Sequence, residues 1–329
     1  MPIRRRRTPS PALRHVSLLE TMAAVAPEDP RFRAAQAAFL TLRLFDHWVA
    51  FGAAVSADSS RALTTTRDDI ARLEVDAELR QILAAITDTL VTLPAAEPHP
   101  LLPRLHALAA LLESRGHLAE AGDVFATIAR HADPNTQLDL AYESLMRAGR
   151  CLRRAGELGW ADQSYAQAAA LAYRDRDRLR QLLARLGRAK VLWDRGDHAA
   201  ADAMIDELIG DAEDAQSAVV TSMLLYERAQ LSWARGDRGG AARQAFRAFD
   251  LAPGVPERDE ILEALAAWLE TMGAIDAARV TRGARETIRL AATRPSPRRA
   301  ESDRATAIEV ARAIAEALRG AGLAPEPSR

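Results

Sequence analysis

The residues of this chain with the most chemical potential are few and scattered. Its seven histidines, His15, His47, His99, His106, His117, His131 and His198, form no His-Glu-x-x-His helix and no facing pair at metal-ligand spacing. His117 and His198 each follow a turn glycine, where a side chain faces solvent. The single cysteine, Cys151, excludes an intramolecular disulfide and a multi-cysteine metal site. Beside Leu152 in a helical pattern, it reads as a small packed residue. Lys190 is the only lysine, and no Gly-x-x-x-x-Gly-Lys-Ser/Thr loop contains it, so a P-loop is excluded. No Gly-x-Ser-x-Gly elbow presents a serine. Asp211, Glu213 and Asp214 stand close together, but paired carboxylates do acid–base work only when burial separates their pKa values. This run reads as a solvated connector between two helices. The expectation is a chain that is not an enzyme, with no cofactor and no metal.

What the sequence does favour is helix packing. Hydrophobic residues at 48% and charged residues at 27% suffice for a buried core. Aromatics are only 5%, and alanine and leucine recur in nearly every line; alanine is the best helix former and lets helix axes approach. A net charge of −1 gives no global pull toward nucleic acid or membrane. The Arg4–Arg7 run is the exception, a local basic cluster in a tail. No apolar region of a secretory signal follows that run, and no window approaches 18 uninterrupted apolar residues. A cytoplasmic bacterial protein is the default expectation.

Five glycines stand in like settings: Gly116, Gly156, Gly196, Gly236 and Gly273, spaced by 40, 40, 40 and 37 residues. Five residues after each lies an alanine: Ala121, Ala161, Ala201, Ala241 and Ala278. Four residues before each lies Leu112, Leu152, Leu192, Ser232 or Leu269. A helix running into glycine can close in the left-handed conformation at little steric cost. A second helix then starts at once, and the alanine one turn into it lets the two pack closely. Phe125, Tyr165, Ile205 and Phe246 are expected to fill the inner stripe of the second helix. Pro134 and Pro253 fall where that helix must stop.

These units resemble the tetratricopeptide repeat family. Leu145, Ala148, Gly149, Leu152, Gly156, Ala161, Tyr165 and Ala168 fit its pattern best. Leu105, Leu108, Leu112, Gly116, Ala121 and Phe125 follow it one unit earlier, and Leu225, Ala229, Gly236, Ala241, Ala248 and Pro253 two units later. The fifth unit is looser, with Arg282 at the expected aromatic position. The family repeat has 34 residues, so a 40-residue period means longer helices. The resemblance implies an all-α, right-handed α-solenoid of about five helix pairs over residues 101–292, whose first helices line a concave groove. Carried over by position, that groove receives His106 and Glu113 from the first unit, which add little. From the later units it receives Met146, Arg150, Arg153, Arg154, Lys190, Trp193, Met223, Tyr226, Gln230 and Trp233, of which Arg150, Arg154, Lys190, Trp193, Tyr226 and Trp233 are the expected binding residues. Arginine pairs bidentately with carboxylate and aromatic side chains supply anchoring area, so the implied partner is a protein or peptide, acidic with apolar anchors. Trp193 and Trp233 either face that partner or pack between repeats.

The ends differ from the middle. Residues 1–29 form a basic tail with a short helix over Ala12 to Val25, and residues 30–100 an N-terminal helical cap or degenerate repeat. Helices are expected there from Arg31 to Phe51, Ser59 to Leu73 and Asp76 to Leu93. Residues 293–301 read as a linker. A last helix is expected over 302–320, capped by Ser302 and able to cover the fifth unit, with a disordered tail over 321–329. Two functions fit this organisation: a scaffold or adaptor that binds proteins, or a signal-responsive regulator that senses a peptide or small effector and acts through a partner.

Overall fold

A computed structural model describes residues 16–51, 57–92, 99–252, 254–293 and 299–323. Every helix or strand among them is a helix. The chain divides into two compact units, Met1–Asp197 and His198–Arg329. The division falls just after the Gly196 turn.

The first unit holds α1 (Val16–Ala24), α2 (Pro30–Phe51), α3 (Ala57–Ala71), α4 (Ala77–Thr92), α5 (Leu102–Ser114), α6 (Leu118–His131), α7 (Leu138–Arg154), α8 (Leu158–Arg174) and α9 (Arg178–Asp194). From α5 onward each helix packs on its sequence neighbour, the stacking of an α-solenoid. The N-terminal helices extend it: α2 lies against α3 and α6, and α4 against α5. The second unit holds α10 (His198–Asp214), α11 (Ala218–Ala234), α12 (Arg238–Leu251), α13 (Val255–Thr271), α14 (Ile275–Thr293) and α15 (Arg299–Gly320), again packed in sequence order. There α15 covers α14 and touches α12.

The five glycines do what their spacing predicts. Their φ angles are +80°, +86°, +85°, +87° and +78°. The N–H after each glycine donates to the carbonyl of Leu112, Leu152, Leu192, Ser232 or Leu269, which closes the preceding helix. The turns that lead into the next pair were not legible in the same way. After α8 and α10 the chain repeats this geometry without glycine. Arg176 has φ +59° and Gln216 φ +51°, and the N–H groups of Asp177 and Ser217 donate to Ala172 and Ala212. As a result α7 to α11 are each 17 residues long and begin 20 residues apart. After α6 and α12 the chain leaves the helix through an extended Ala132 or Ala252 instead.

Several boundaries depart from expectation. The N-terminal helix is described from Val16; the Ala12 to His15 part of the expected helix lies outside the described residues, as does Pro253. The last helix begins at Arg299, so Ser302 lies inside it and not at its start. Asp211, Glu213 and Asp214 are the last residues of α10, not a connector, because the turn comes two residues later, at Gln216. Side-chain caps do fix other starts. Asp76 Oδ1 accepts from the N–H groups of Glu78 and Leu79, both at 3.1 Å, and Asp177 and Asp237 accept from Arg180 and Gly240 at 2.9 Å.

The core of the first unit is built from Leu18, Phe45, Trp48, Ile86, Leu105, Leu108, Phe125, Leu152 and Tyr165. That of the second uses Ile205, Leu208, Leu224, Leu225, Phe249, Leu262, Leu265, Ile288, Ile314 and Leu318. Phe125, Tyr165 and Ile205 occupy the predicted inner stripe, but Phe246 does not. Ala245 holds the equivalent buried place, Phe246 is half-exposed, and the large buried ring is Phe249, one turn further on. Tyr165 shows why two helical glycines are present. A Cβ at Gly149 would stand 2.7 Å from its ring, and one at Gly187 2.5 Å from its Cδ1. The ring therefore occupies a slot between α7 and α9 that only glycine leaves open.

Candidate partner-binding surface

In the first unit the polar side chains of α5 and α7 meet in one cluster. Glu113, whose side chain is only 14% exposed, accepts from Arg147 at 2.5 and 3.1 Å and from Arg150 at 2.8 Å. Burial works against its carboxylate, but the two guanidinium groups outweigh that and hold its pKa below the usual range. Arg147 also lies 4.3 Å above the Phe125 ring and 3.1 Å from His106 Nε2. A guanidinium can only donate, so His106 accepts through Nε2 and is neutral. Burial first, and then the Arg147 charge, push the His106 pKa down. Cys151, fully buried behind this cluster, has its thiol pushed up to about 12 by burial and by Glu113, so it is chemically inert.

Each of the six positions named from the sequence has a definite place. Arg150 is half-exposed but not free, because Glu113 holds one side of its fork. Arg154 ends α7, is exposed, and has no ion-pair partner among the described residues. Lys190 and Trp193, on α9, are half-buried and both make interactions. On the same face, Arg153 pairs with Asp194 at 2.7 Å.

The remaining two positions belong to the second unit. Tyr226 is half-buried, and its hydroxyl is pushed up by burial, against the opposing hydrogen bond of Gln230; Glu260, Glu227 and Glu263 add to the rise. Trp233 stacks on Trp268 of α13, with centroids 5.1 Å apart and planes 11° from parallel. Arg238 stands 5.5 Å over its ring. Trp233 thus packs between repeats on one side and keeps part of its ring open.

Sequence reasoning overlooked Arg147 and Trp268, and it gave little weight to Glu113, which it had placed in the groove. Glu113 and Arg147 are 34 residues apart and His106 and Arg147 41 apart, so no local pattern joins them. The one usable signal was the repeat offset itself. Glu113, Arg153, Trp193 and Trp233 all stand three residues before their turn glycine, so each takes the same place on its own helix.

Among the described residues no group of histidine, cysteine or carboxylate side chains is arranged to hold a metal ion, and no helix is long and apolar enough to cross a membrane. No protein-family model matches the chain, and no curated protein matches it in sequence. Among solved structures it is similar to BtubC (BKLC) from P. vanneervenii, with a TM-score of 0.46 and 16% identity over 68% of this chain and 96% of that one. A likeness at that level says nothing of activity or partner.

Proposed function

We propose that this chain is a non-catalytic binding protein of tetratricopeptide type, which holds a protein or peptide on the faces of the first helices of its pairs. The observation that carries the reading is the state of Arg150 and Arg154 on α7. Glu113 fixes Arg150 while leaving about half of its side chain open, at 52% exposure, and Arg154 stands exposed one turn later. Holding a guanidinium in place beforehand removes much of the ordering cost of binding a carboxylate. Arg147 and Arg150 share the one buried carboxylate of Glu113, so this group of three keeps net positive charge for an acidic partner. The test is capture from native-host lysate with the wild type and with the Arg150→Gln/Arg154→Glu double variant, followed by identification of the retained proteins. The variant is expected to lose the wild-type partners at unchanged helicity; recovery of the same partners at full strength sinks the reading.

A signal-responsive regulator is the second reading. It is favoured by a cavity of about 590 Å³ in the first unit, lined by Arg33, Glu74, Asp76, Leu79, Arg115 and His117. This is within the size range of small-ligand sites. The Arg115 guanidinium and the helix N–H groups of α4 hold Asp76 at a pKa of about 2. An effector bound there is expected to slow hydrogen exchange in α2 and α4; exchange slowed only on α7 and α9 counts against this reading.

A further inference from the structure

Helix α11 carries a pattern that its core-facing side does not explain. Val219, Met223, Tyr226, Gln230 and Trp233 follow at intervals of four, three, four and three residues, which places all five on one narrow arc of the helix. The side facing the core is a different set, Val220, Leu224, Leu225, Ala229 and Ser232. Val219 is 45% exposed and Met223 41%, Gln230 is exposed, and Tyr226 and Trp233 are half-buried. At 1.5 Å per residue the stripe is roughly 21 Å long. Two large apolar groups open to water and two aromatic rings half-covered, in the spacing of a helix–helix seam, make a surface fit for a partner.

The neighbouring helix says what charge that partner carries. α13 has five acids, Glu257, Asp259, Glu260, Glu263 and Glu270, against Arg258, a net charge of −4. Asp259 and Glu263 are matched by Arg285, and Glu270 by Arg282. Glu260 is exposed, lies near Tyr226 and has no ion pair among the described residues. The Trp233 ring is already taken up by Trp268 and by the guanidinium of Arg238, so the charge a partner would meet is that of Glu260.

The geometry points to α11 as the seat of an amphipathic helix from a partner protein, which lays an apolar seam on Val219, Met223, Tyr226 and Trp233 and turns lysine or arginine toward Glu260. This rests on the binding-protein reading, but it concerns the second unit and the opposite charge, so the two can fail separately.

The probe is a fluorescein-labelled, 18-residue helical peptide with leucine at 3-4 spacing and lysine on its flanks. A twin carries glutamate for lysine, and a scramble of the first destroys the seam. Anisotropy titration is expected to show the lysine peptide binding the full chain, at least about tenfold tighter than either control. Met223→Asp should weaken it by at least about tenfold, Glu260→Lys should weaken it most at low salt, and Arg150→Gln/Arg154→Glu should leave it unchanged. Met223 is exposed, so the variant is expected to keep its circular dichroism. Val219→Asp, in the first turn where a carboxylate favours the helix, gives the same reading should Met223→Asp lose helicity. No binding by the lysine peptide, equal binding of the twin or the scramble, or an affinity indifferent to Met223→Asp overturns the proposal. So does a wild-type dimer in sedimentation that Met223→Asp converts to monomer, which would make the stripe an interface between copies.

Discussion

Replacing glycine by alanine inside a helix should stabilise this protein at one place and destabilise it at another, and the packing of Tyr165 decides which. Alanine is favoured over glycine by about 1 kcal/mol in a helix interior. Gly283, in the middle of α14, is exposed and has nothing within 4 Å of an added Cβ, so Gly283→Ala should gain nearly that amount. At Gly187 the added carbon would stand 2.5 Å from Tyr165 Cδ1 and 2.7 Å from Cζ. The ring is only 4% exposed and backed by Gly149, where a Cβ would meet it at 2.7 to 2.9 Å. It has nowhere to swing. Overpacking of this kind costs about 1–3 kcal/mol, which exceeds the propensity gain, so Gly187→Ala should lose about 1–2 kcal/mol net. Urea denaturation followed by far-ultraviolet circular dichroism measures both variants, and a cycle with Tyr165→Ala isolates the clash. In the Tyr165→Ala background Gly187→Ala should turn neutral or stabilising. A stabilising Gly187→Ala in the wild type, or a cost that persists without the ring, would refute the slot.

Two further outcomes follow from local geometry. Arg176→Gly and Gln216→Gly should each raise stability by about 0.5–1 kcal/mol, because both residues hold positive φ where a Cβ is strained; a urea midpoint that falls for both would show that those turns are not left-handed. His106 should make the first unit weaken as pH falls. Its folded pKa is depressed below the ordinary 6.5 by burial and by Arg147. Its neutral form therefore contributes stability in full above 6.5, and that contribution is lost as pH drops from there through the lower folded value. His106→Gln should flatten the decline of the urea midpoint between pH 7 and 5, and parallel wild-type and variant slopes would contradict the assignment. Glu113 and Asp76, whose pKa values lie below the usual carboxylate range, act in a separate, more acidic window.

The sequence by itself determined the helical class, the five left-handed turns and the register of the helices that meet them. These depend on short-range physics: a glycine that alone accepts positive φ cheaply, an alanine one turn later, and apolar residues at helical spacing. It also located α2 and α4 to within about one residue of their ends. Where a left-handed turn used Arg176 or Gln216, the local signal vanished, since neighbouring helices enforce a conformation those residues do not prefer. The site followed the same rule. Repeat offsets placed Arg150, Trp193 and Trp233 on their helix faces, but only tertiary structure paired Arg150 with Glu113 and stacked Trp233 on Trp268, contacts that span 37 and 35 residues. Charge compensation and ring stacking act across space at a few ångströms, and nothing in the intervening chain encodes which distant side chain will stand there.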